Sequence, residues 1–202
     1  MKVICISGKA QHGKDTTAGY LKEFLEARGK KVLICHYGDL VKYVCKTFFD
    51  WDGQKDEKGR TILQYVGTER VRSHHERYWV QFIRDMLWFF HGEWDYVLIP
   101  DCRFPNEVED MKKEFNTTHI RVVRENFESP LTEEQQNHPS ETALDDYPPD
   151  ILLVNSGTLA DLKFAVAQVV DRLVYPVAKE TTVYRSCYPY YSEDTKPMEE
   201  FE

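Results

Sequence analysis

The residues whose types and spacing could do chemistry stand together near the start of the chain. A short apolar run ends at Ser7 and Gly8, and Gly13 and Lys14 come directly before a helix-forming run. This is nearly the pattern G-x-x-x-x-G-K-[ST]. The glycines let the backbone wrap an anion, and the loop N–H groups and the next helix point at phosphates. With the lysine ammonium placed on the β- and γ-phosphates, the stretch predicts a nucleotide-binding loop.

The loop departs from this pattern at one position. Asp15 stands where Ser or Thr normally offers a hydroxyl to Mg²⁺, and Thr16 follows one position later. Two possibilities stay open: Thr16 supplies the hydroxyl, or the metal is held mainly elsewhere. A Gly-rich turn that binds nothing is the other alternative, and the strand before and the helix after the loop disfavour it.

Composition excludes several classes of protein. The 202 residues are enough for one domain with a buried core, and the net charge of −8 argues against a broad nucleic-acid or membrane surface. The five cysteines form no C-x-x-C pair, which indicates core residues in a reducing compartment. We see no signal peptide and no apolar run near the ~18 residues that span a membrane. We therefore expect a cytoplasmic protein that binds neither polymeric nucleic acid nor membrane.

Apolar runs alternate with segments of helical spacing along the chain. Residues 3–6, 31–36, 95–101, 118–123 and 151–154 are the predicted strands. Such alternation is typical of a parallel sheet covered on both faces. We therefore expect a three-layer α/β/α fold around a five-stranded parallel sheet.

Three segments stand outside this alternation. Residues 40–92, between the second and third strands, predict a helical insertion. Residues 124–150 carry almost no apolar period, which is typical of a functional loop such as a lid. Residues 176–202 mix tyrosine, proline and acidic residues without a period, and we expect an extended or disordered tail after a domain at 1–175.

Five motifs together resemble one known family. They are GKAQHGKDTTA, LQYVGTERVR with a tryptophan after it, DCRFPNE, HPSE and VNSGTLADL. The chain resembles the deoxynucleoside monophosphate kinases, best known from bacteriophages, over residues 2–173. The phosphate loop alone is generic, but GKDT together with LQxxGT and DxRxxNE is more specific. The resemblance implies the P-loop nucleoside monophosphate kinase fold and transfer of phosphate from ATP, with Mg²⁺, to a deoxynucleoside 5′-monophosphate for dNTP supply. It also makes a homodimer an expectation.

On the donor side, the resemblance implies that ATP lies on the loop and on the turn after the last strand. The implied ATP-binding residues are Gly8, Gly13, Lys14, Asp15, Thr16, Thr17, Asn155 and Gly157. The implied catalytic residues are Lys14, Asp101, Arg103 and Arg124, and the implied metal-holding residues are Thr16 and Asp101.

On the acceptor side, the resemblance points to the helical insertion and the lid segment. The implied residues are Asp39, Arg60, Gln64, Gly67, Thr68, Arg70, Arg72, Trp79, His138, Ser140 and Glu141. The arginines are candidates for the acceptor phosphate because a guanidinium forks onto phosphate oxygens. Gln64 is a candidate base reader because an amide can pair with a base edge.

Two other functions stay open. A different small-molecule P-loop kinase, of the dephospho-coenzyme A or phosphomevalonate kinase type, would share the loop and the final turn but gives no reason for the LQxxGT segment. A non-catalytic nucleotide-binding protein would use the tyrosine-rich tail to recruit partners.

Overall fold

A parallel sheet forms the centre of the computed structural model, which describes residues 1–175 and 182–185. Within these residues the strand order is β2-β3-β1-β4-β5-β6, and every neighbouring pair is parallel. The strands are β1 (Lys2–Ser7), β2 (Val32–Ile34), β3 (Tyr96–Cys102), β4 (Asn116–Arg124), β5 (Ile151–Asn155) and β6 (Thr182–Arg185). The predicted α/β class is confirmed.

The predicted count of five strands is wrong, because the sheet has a sixth. Strand β6 pairs with β5 from Ile151↔Thr182 to Val154↔Arg185, and it lies within the segment 176–202 that the sequence assigned to a tail. Its four residues carry no apolar run, so its strand conformation depends on the free hydrogen-bonding edge of β5. The rest of the tail prediction lies outside the described residues.

Helices cover both faces of this sheet. They are α1 (Lys14–Glu26), α2 (Gly38–Phe48), α3 (Glu57–Gln64), α4 (Tyr78–Phe89), α5 (Pro105–Glu114), α6 (Glu133–Asn137), α7 (Pro139–Thr142) and α8 (Leu159–Val174), with a π-helical segment at Tyr65–Arg72. The predicted insertion thus contains α2, α3, the π-helical segment and α4. The predicted lid segment contains α6 and α7.

Alternate side chains of strand β1 point to opposite faces of the sheet and pack in different core clusters. Ile4 and Ile6 pack in the cluster that holds residues of α1 and α8, whereas Val3 and Cys5 pack in the cluster that holds residues of α4 and α5. A third, separate cluster lies within the insertion and includes Trp79, whose Nε1 donates to the carbonyl of Gly67 at 2.9 Å.

Among the described residues, no helix combines the length and the apolarity that a membrane crossing requires.

Two glycines in helices give opposite expectations for stability. At Gly59 in α3, an added Cβ would lie 1.9 Å from the backbone oxygen of Gln54, so Gly59→Ala must displace the preceding loop. We expect the free energy of unfolding to fall by about 1–3 kcal/mol. At Gly19 in α1, an added Cβ meets open space, and Gly19→Ala should raise that free energy by about 1 kcal/mol. Urea unfolding measures both, and equal stabilities would contradict the packing of this loop.

Candidate active site

The phosphate loop connects β1 to α1 and packs against the backbone of β4. Gly8 has φ +144°, and a Cβ there would lie 2.3 Å from the carbonyl oxygen of Val122. Only glycine fits this close approach, which explains the first glycine of the motif.

Lys14, the first residue of α1, folds its side chain back over this loop. Its Nζ donates to the carbonyl oxygens of Gly8 at 2.7 Å and Lys9 at 2.8 Å, and the residue is only 7% exposed. Burial, and next the neighbouring Arg103, lower the pKa of Lys14 to about 8. Burial inside the loop thus disfavours the charged form of this side chain.

A cavity of about 510 Å³ opens beside the loop. Its walls come from the loop, the ends of β2 and β3, the insertion and the lid segment. The predicted site residues that line it are Lys14, Asp15, Arg60, Gln64, Gly67, Thr68, Arg72, Trp79, Asp101, Arg103, Ser140 and Glu141. The loop and the insertion, which are far apart in sequence, thus face one space.

The remaining donor-side predictions lie around the loop rather than on the cavity wall. These residues are Gly8, Gly13, Thr16, Thr17, Asn155 and Gly157. Asn155 Nδ2 donates to the carbonyl of His12 at 3.3 Å, which joins the end of β5 to the loop. Thr16 is partly exposed, whereas the Thr17 hydroxyl is buried and has no hydrogen-bond partner among the described residues.

Four further predicted residues are not brought to this cavity. Asp39 is exposed and pairs with Lys42 at 2.7 Å, and Arg70 is also exposed. The Arg124 guanidinium lies 4.5 Å from the centre of a phenylalanine ring in the lid segment. His138 accepts through Nδ1 from the backbone at the start of α7 and so caps that helix.

A buried ion pair, Arg72–Glu107, forms part of the cavity wall. Arg72 Nη2 donates to Glu107 Oε1 at 2.6 Å, with side chains 9% and 2% exposed. The other carboxylate oxygen accepts from the backbone N–H groups of Arg103 at 2.5 Å and Phe104 at 3.1 Å. Burial raises the pKa of Glu107, and the Arg72 charge opposes that rise. Of the three predicted phosphate-binding arginines, Arg72 is thus already paired.

Asp101 connects the end of β3 to the start of α2. Its carboxylate accepts from the backbone N–H groups of Tyr37 at 3.0 Å and Gly38 at 2.8 Å. The carboxylate still reaches the cavity wall.

His36, at the end of β2, is a cavity residue that sequence reasoning missed. Its Nε2 lies 3.3 Å from Asp15 Oδ1, and its Nδ1 lies 3.3 Å from Asp39 Oδ2. The hydrogen bond with Asp15 raises the pKa of His36, and the same bond lowers the pKa of Asp15. Its position just past a strand was the available signal, because the carboxyl ends of parallel strands face the ligand side.

Other cavity residues were missed as well. They are Gln11, Tyr37, Lys42, Lys55, Phe104, Glu107 and Leu131. Lys55 comes from a polar stretch whose composition indicated only a loop, and Leu131 comes from the lid segment.

The lid segment contacts both the loop and Arg103, the residue that follows β3. Arg103 Nη1 donates to the carbonyl of Ser140 at 2.9 Å and to Glu141 Oε1. Glu141 Oε2 accepts from the N–H of Ala10 in the phosphate loop at 2.9 Å.

The donor groups at the cavity suit a metal ion that a nucleotide carries. Within the described residues, no group of three or more His, Cys, Asp or Glu side chains is placed to hold a metal. Mg²⁺ in phosphoryl-transfer sites commonly uses one or two carboxylates together with substrate phosphates. Asp101 at the cavity wall offers one such carboxylate.

The family model for deoxynucleotide monophosphate kinase matches residues 39–166. The deoxynucleotide monophosphate kinase of Enterobacteria phage T4 is 31% identical over 105 residues, which cover 51% of this chain and 41% of that relative. The match thus spans well under two thirds of the relative's length.

Two solved structures match the chain at low sequence identity. One is the Mycobacterium tuberculosis APS kinase CysC in complex with AMPPNP and APS, with 10% identity, a TM-score of 0.49, and coverage of 86% of this chain and 97% of that one. The other is APE1195, with 14% identity, a TM-score of 0.45, and coverage of 85% and 96%.

The Arg72–Glu107 pair gives a prediction for stability. Arg72→Met leaves the Glu107 carboxylate buried without its cation, and Glu107→Gln leaves the guanidinium without its anion. We expect each to lower the free energy of unfolding by about 3 kcal/mol. The double variant should lose less than the sum of the two, because neither charge is then left alone. A double-mutant cycle in urea measures this, and strictly additive losses would contradict a coupled buried pair.

Proposed function

The chain belongs to the deoxynucleotide monophosphate kinase family, and from this we propose that it transfers the γ-phosphoryl group of ATP to a deoxynucleoside 5′-monophosphate. The products are ADP and the deoxynucleoside diphosphate. The observation that carries the proposal is the single cavity of about 510 Å³ that the phosphate loop shares with the helical insertion. Phosphoryl transfer requires two nucleotides to meet in line, and a shared cavity supports that arrangement.

On the donor side, the phosphates of ATP would lie on the loop amides and on Lys14. The Lys14 ammonium is already inside the loop, so it can turn from backbone carbonyls to phosphate oxygens without a large movement. Arg103 lines the same cavity and would stabilise charge that develops on the transferred group. Arg124, Asn155 and Gly157 are proposed to support the rest of the donor from the far side of the loop.

We propose that Thr16 and Asp101 hold the Mg²⁺ that accompanies ATP. The Asp101 carboxylate accepts two backbone hydrogen bonds, and a carboxylate has about four lone-pair sites, so acceptor capacity remains. An Mg²⁺ ion held there would supply positive charge that offsets the negative charge of the donor phosphates.

On the acceptor side, Arg60 is the best-placed cation for the monophosphate. It lines the cavity, and within residues 1–175 and 182–185 no hydrogen bond or ion pair engages its side chain. Gln64 lies one helical turn further along the same face of α3, where its amide can meet a base edge. Trp79 and Gly67, joined by a hydrogen bond, form a firm wall beside them.

The decisive experiment is an ADP-release assay with ATP, Mg²⁺ and each deoxynucleoside monophosphate, with the ribose forms, dephospho-coenzyme A and phosphomevalonate for comparison. We expect turnover with at least one deoxynucleoside monophosphate and none with the last two compounds. Because Arg60 would bind the phosphate common to all acceptors, Arg60→Ala should lower kcat/KM for every base by about tenfold or more. Because a base reader discriminates by leaving its amide unpaired with the wrong base, Gln64→Ala should change the ranking of bases.

Lys58→Ala is the matched control, since Lys58 is an exposed cation of the same helix outside the cavity. The proposed pocket would be wrong if the control lost as much activity as Arg60→Ala, or if Gln64→Ala lowered every base equally. Turnover of no deoxynucleoside monophosphate would contradict the function itself.

We also propose a homodimer that forms through α4. Four large side chains recur at helical spacing on one stripe of this helix and are 37–72% exposed: Tyr78, Phe82, Met86 and Phe89. An apolar stripe of this length is typical of a contact with another protein, and a second copy can bury it symmetrically.

Sedimentation equilibrium tests the dimer. We expect Phe82→Glu to shift the chain to a monomer, because burial of the new charge in the contact would be costly. Leu159→Glu, a change at an exposed apolar residue of α8, should not. A wild-type chain that is monomeric at high micromolar concentration would rule the dimer out.

The proposed partners are thus small nucleotides and a second copy. Because the curated relative is encoded by a phage, we propose the cytoplasm of the infected host as the place of action.

A further inference from the structure

The carboxylate of Glu141 bonds to two groups that a phosphate would also use. Oε2 accepts from the N–H of Ala10 in the phosphate loop at 2.9 Å, and Oε1 is bound by the guanidinium of Arg103. The Glu141 side chain is only 6% exposed. A backbone amide of this loop and a cavity arginine thus both point at one buried anion.

This anion belongs to the lid segment, which is fastened to the loop at a second point. Lys9 Nζ lies 3.2 Å from Asp145 Oδ2, three residues beyond α7. Arg121 on β4 holds the same stretch by donating to the carbonyls of Asp145 and Tyr147, both at 2.8 Å. The lid segment therefore contacts the phosphate loop through the buried Glu141 and, at a second and more exposed position, through Asp145.

A donor phosphate and the Glu141 carboxylate cannot share these partners. Both are anions, and the repulsion between two charges a few ångströms apart is large where water is excluded. The N–H of Ala10 has a single hydrogen to donate, so one acceptor must give way to the other. Binding of the donor phosphates therefore requires Glu141 to move.

We propose that Glu141 is an intramolecular phosphate mimic, which fastens α7 to the phosphate loop and is displaced by the phosphates of the donor. Displacement releases the lid segment and frees Arg103 for the transferred phosphoryl group. Lid movement is thereby coupled to donor binding. The inference rests on the donor half of the proposed function and is independent of which acceptor is used.

Affinity for a non-hydrolysable ATP analogue tests this mimic. Glu141→Gln keeps the shape and removes the charge that competes with phosphate, so we expect the analogue to bind about tenfold more tightly. Glu141→Asp should also bind more tightly, because the shorter side chain reaches the loop less well. Glu134→Gln removes a charge from the same segment at an exposed position of α6 and should leave affinity unchanged. A merely structural role for Glu141 predicts weaker binding in its variants.

Hydrogen exchange in the wild-type chain gives an independent readout. We expect the analogue to increase amide exchange in residues 139–145, and Glu141→Gln to show that faster exchange before any analogue is added. Equal or weaker analogue binding by Glu141→Gln, or slower exchange of residues 139–145 on analogue binding, would overturn the mimic alone. Failure of the wild-type chain to bind the analogue would instead overturn the donor site and, with it, the proposed function.

Discussion

The cavity depends on one buried carboxylate, that of Glu107. It accepts from the backbone of Arg103 and Phe104 at the end of β3, and from the guanidinium of Arg72 in the π-helical segment. These bonds fix two sides of the cavity relative to each other, since Arg103 contacts the lid segment and Arg72 belongs to the helical insertion. The Arg72 guanidinium also lies 4.0 Å from the centre of the Phe104 ring, which shields the pair from water. Burial of a charge pair costs desolvation energy. The Arg72–Glu107 pair lies where it holds two separate elements in a fixed relative position.

Much of the fold could be predicted because apolar runs and glycines mark the strands and the loop. The parallel sheet and the helical insertion were predicted because short apolar runs alternate with segments of helical spacing. Strand β6 was missed because four residues are too short a run to show a period, and it is recognised only by its pairing with β5. Helices α6 and α7 were missed because their starts depend on caps, at Thr132 and His138, and not on an apolar period.

Candidate site residues could be predicted where they stand together in a short sequence motif. They were harder to predict where a residue's hydrogen-bond or ion-pair partner lies far away in the sequence. Lys14 and Asp15 of the GKDT segment line one cavity together with the LQxxGT segment. Charge pairing was out of reach, because the partners of Arg72 and Arg103 are carboxylates 35 and 38 residues further along the chain. The pairing of His36 with Asp15 could not be predicted for the same reason, because the two residues become neighbours only when β2 lies near α1. A sequence shows which residues could bind phosphate, but not which of them are already neutralised.

The position of β1 at the centre of the sheet has a consequence for how the chain folds. This strand is made before both of its neighbours, since Lys2 pairs with Tyr96 of β3 and with Asn116 of β4. During synthesis its backbone edges therefore stay unpaired until those two later strands have been made. Pairing between such distant segments is slow, and the exposed strand is then open to association with other chains. The loop that follows β1 packs against the backbone of β4 at Val122, so the proposed nucleotide site is complete only after β1 and β4 have paired.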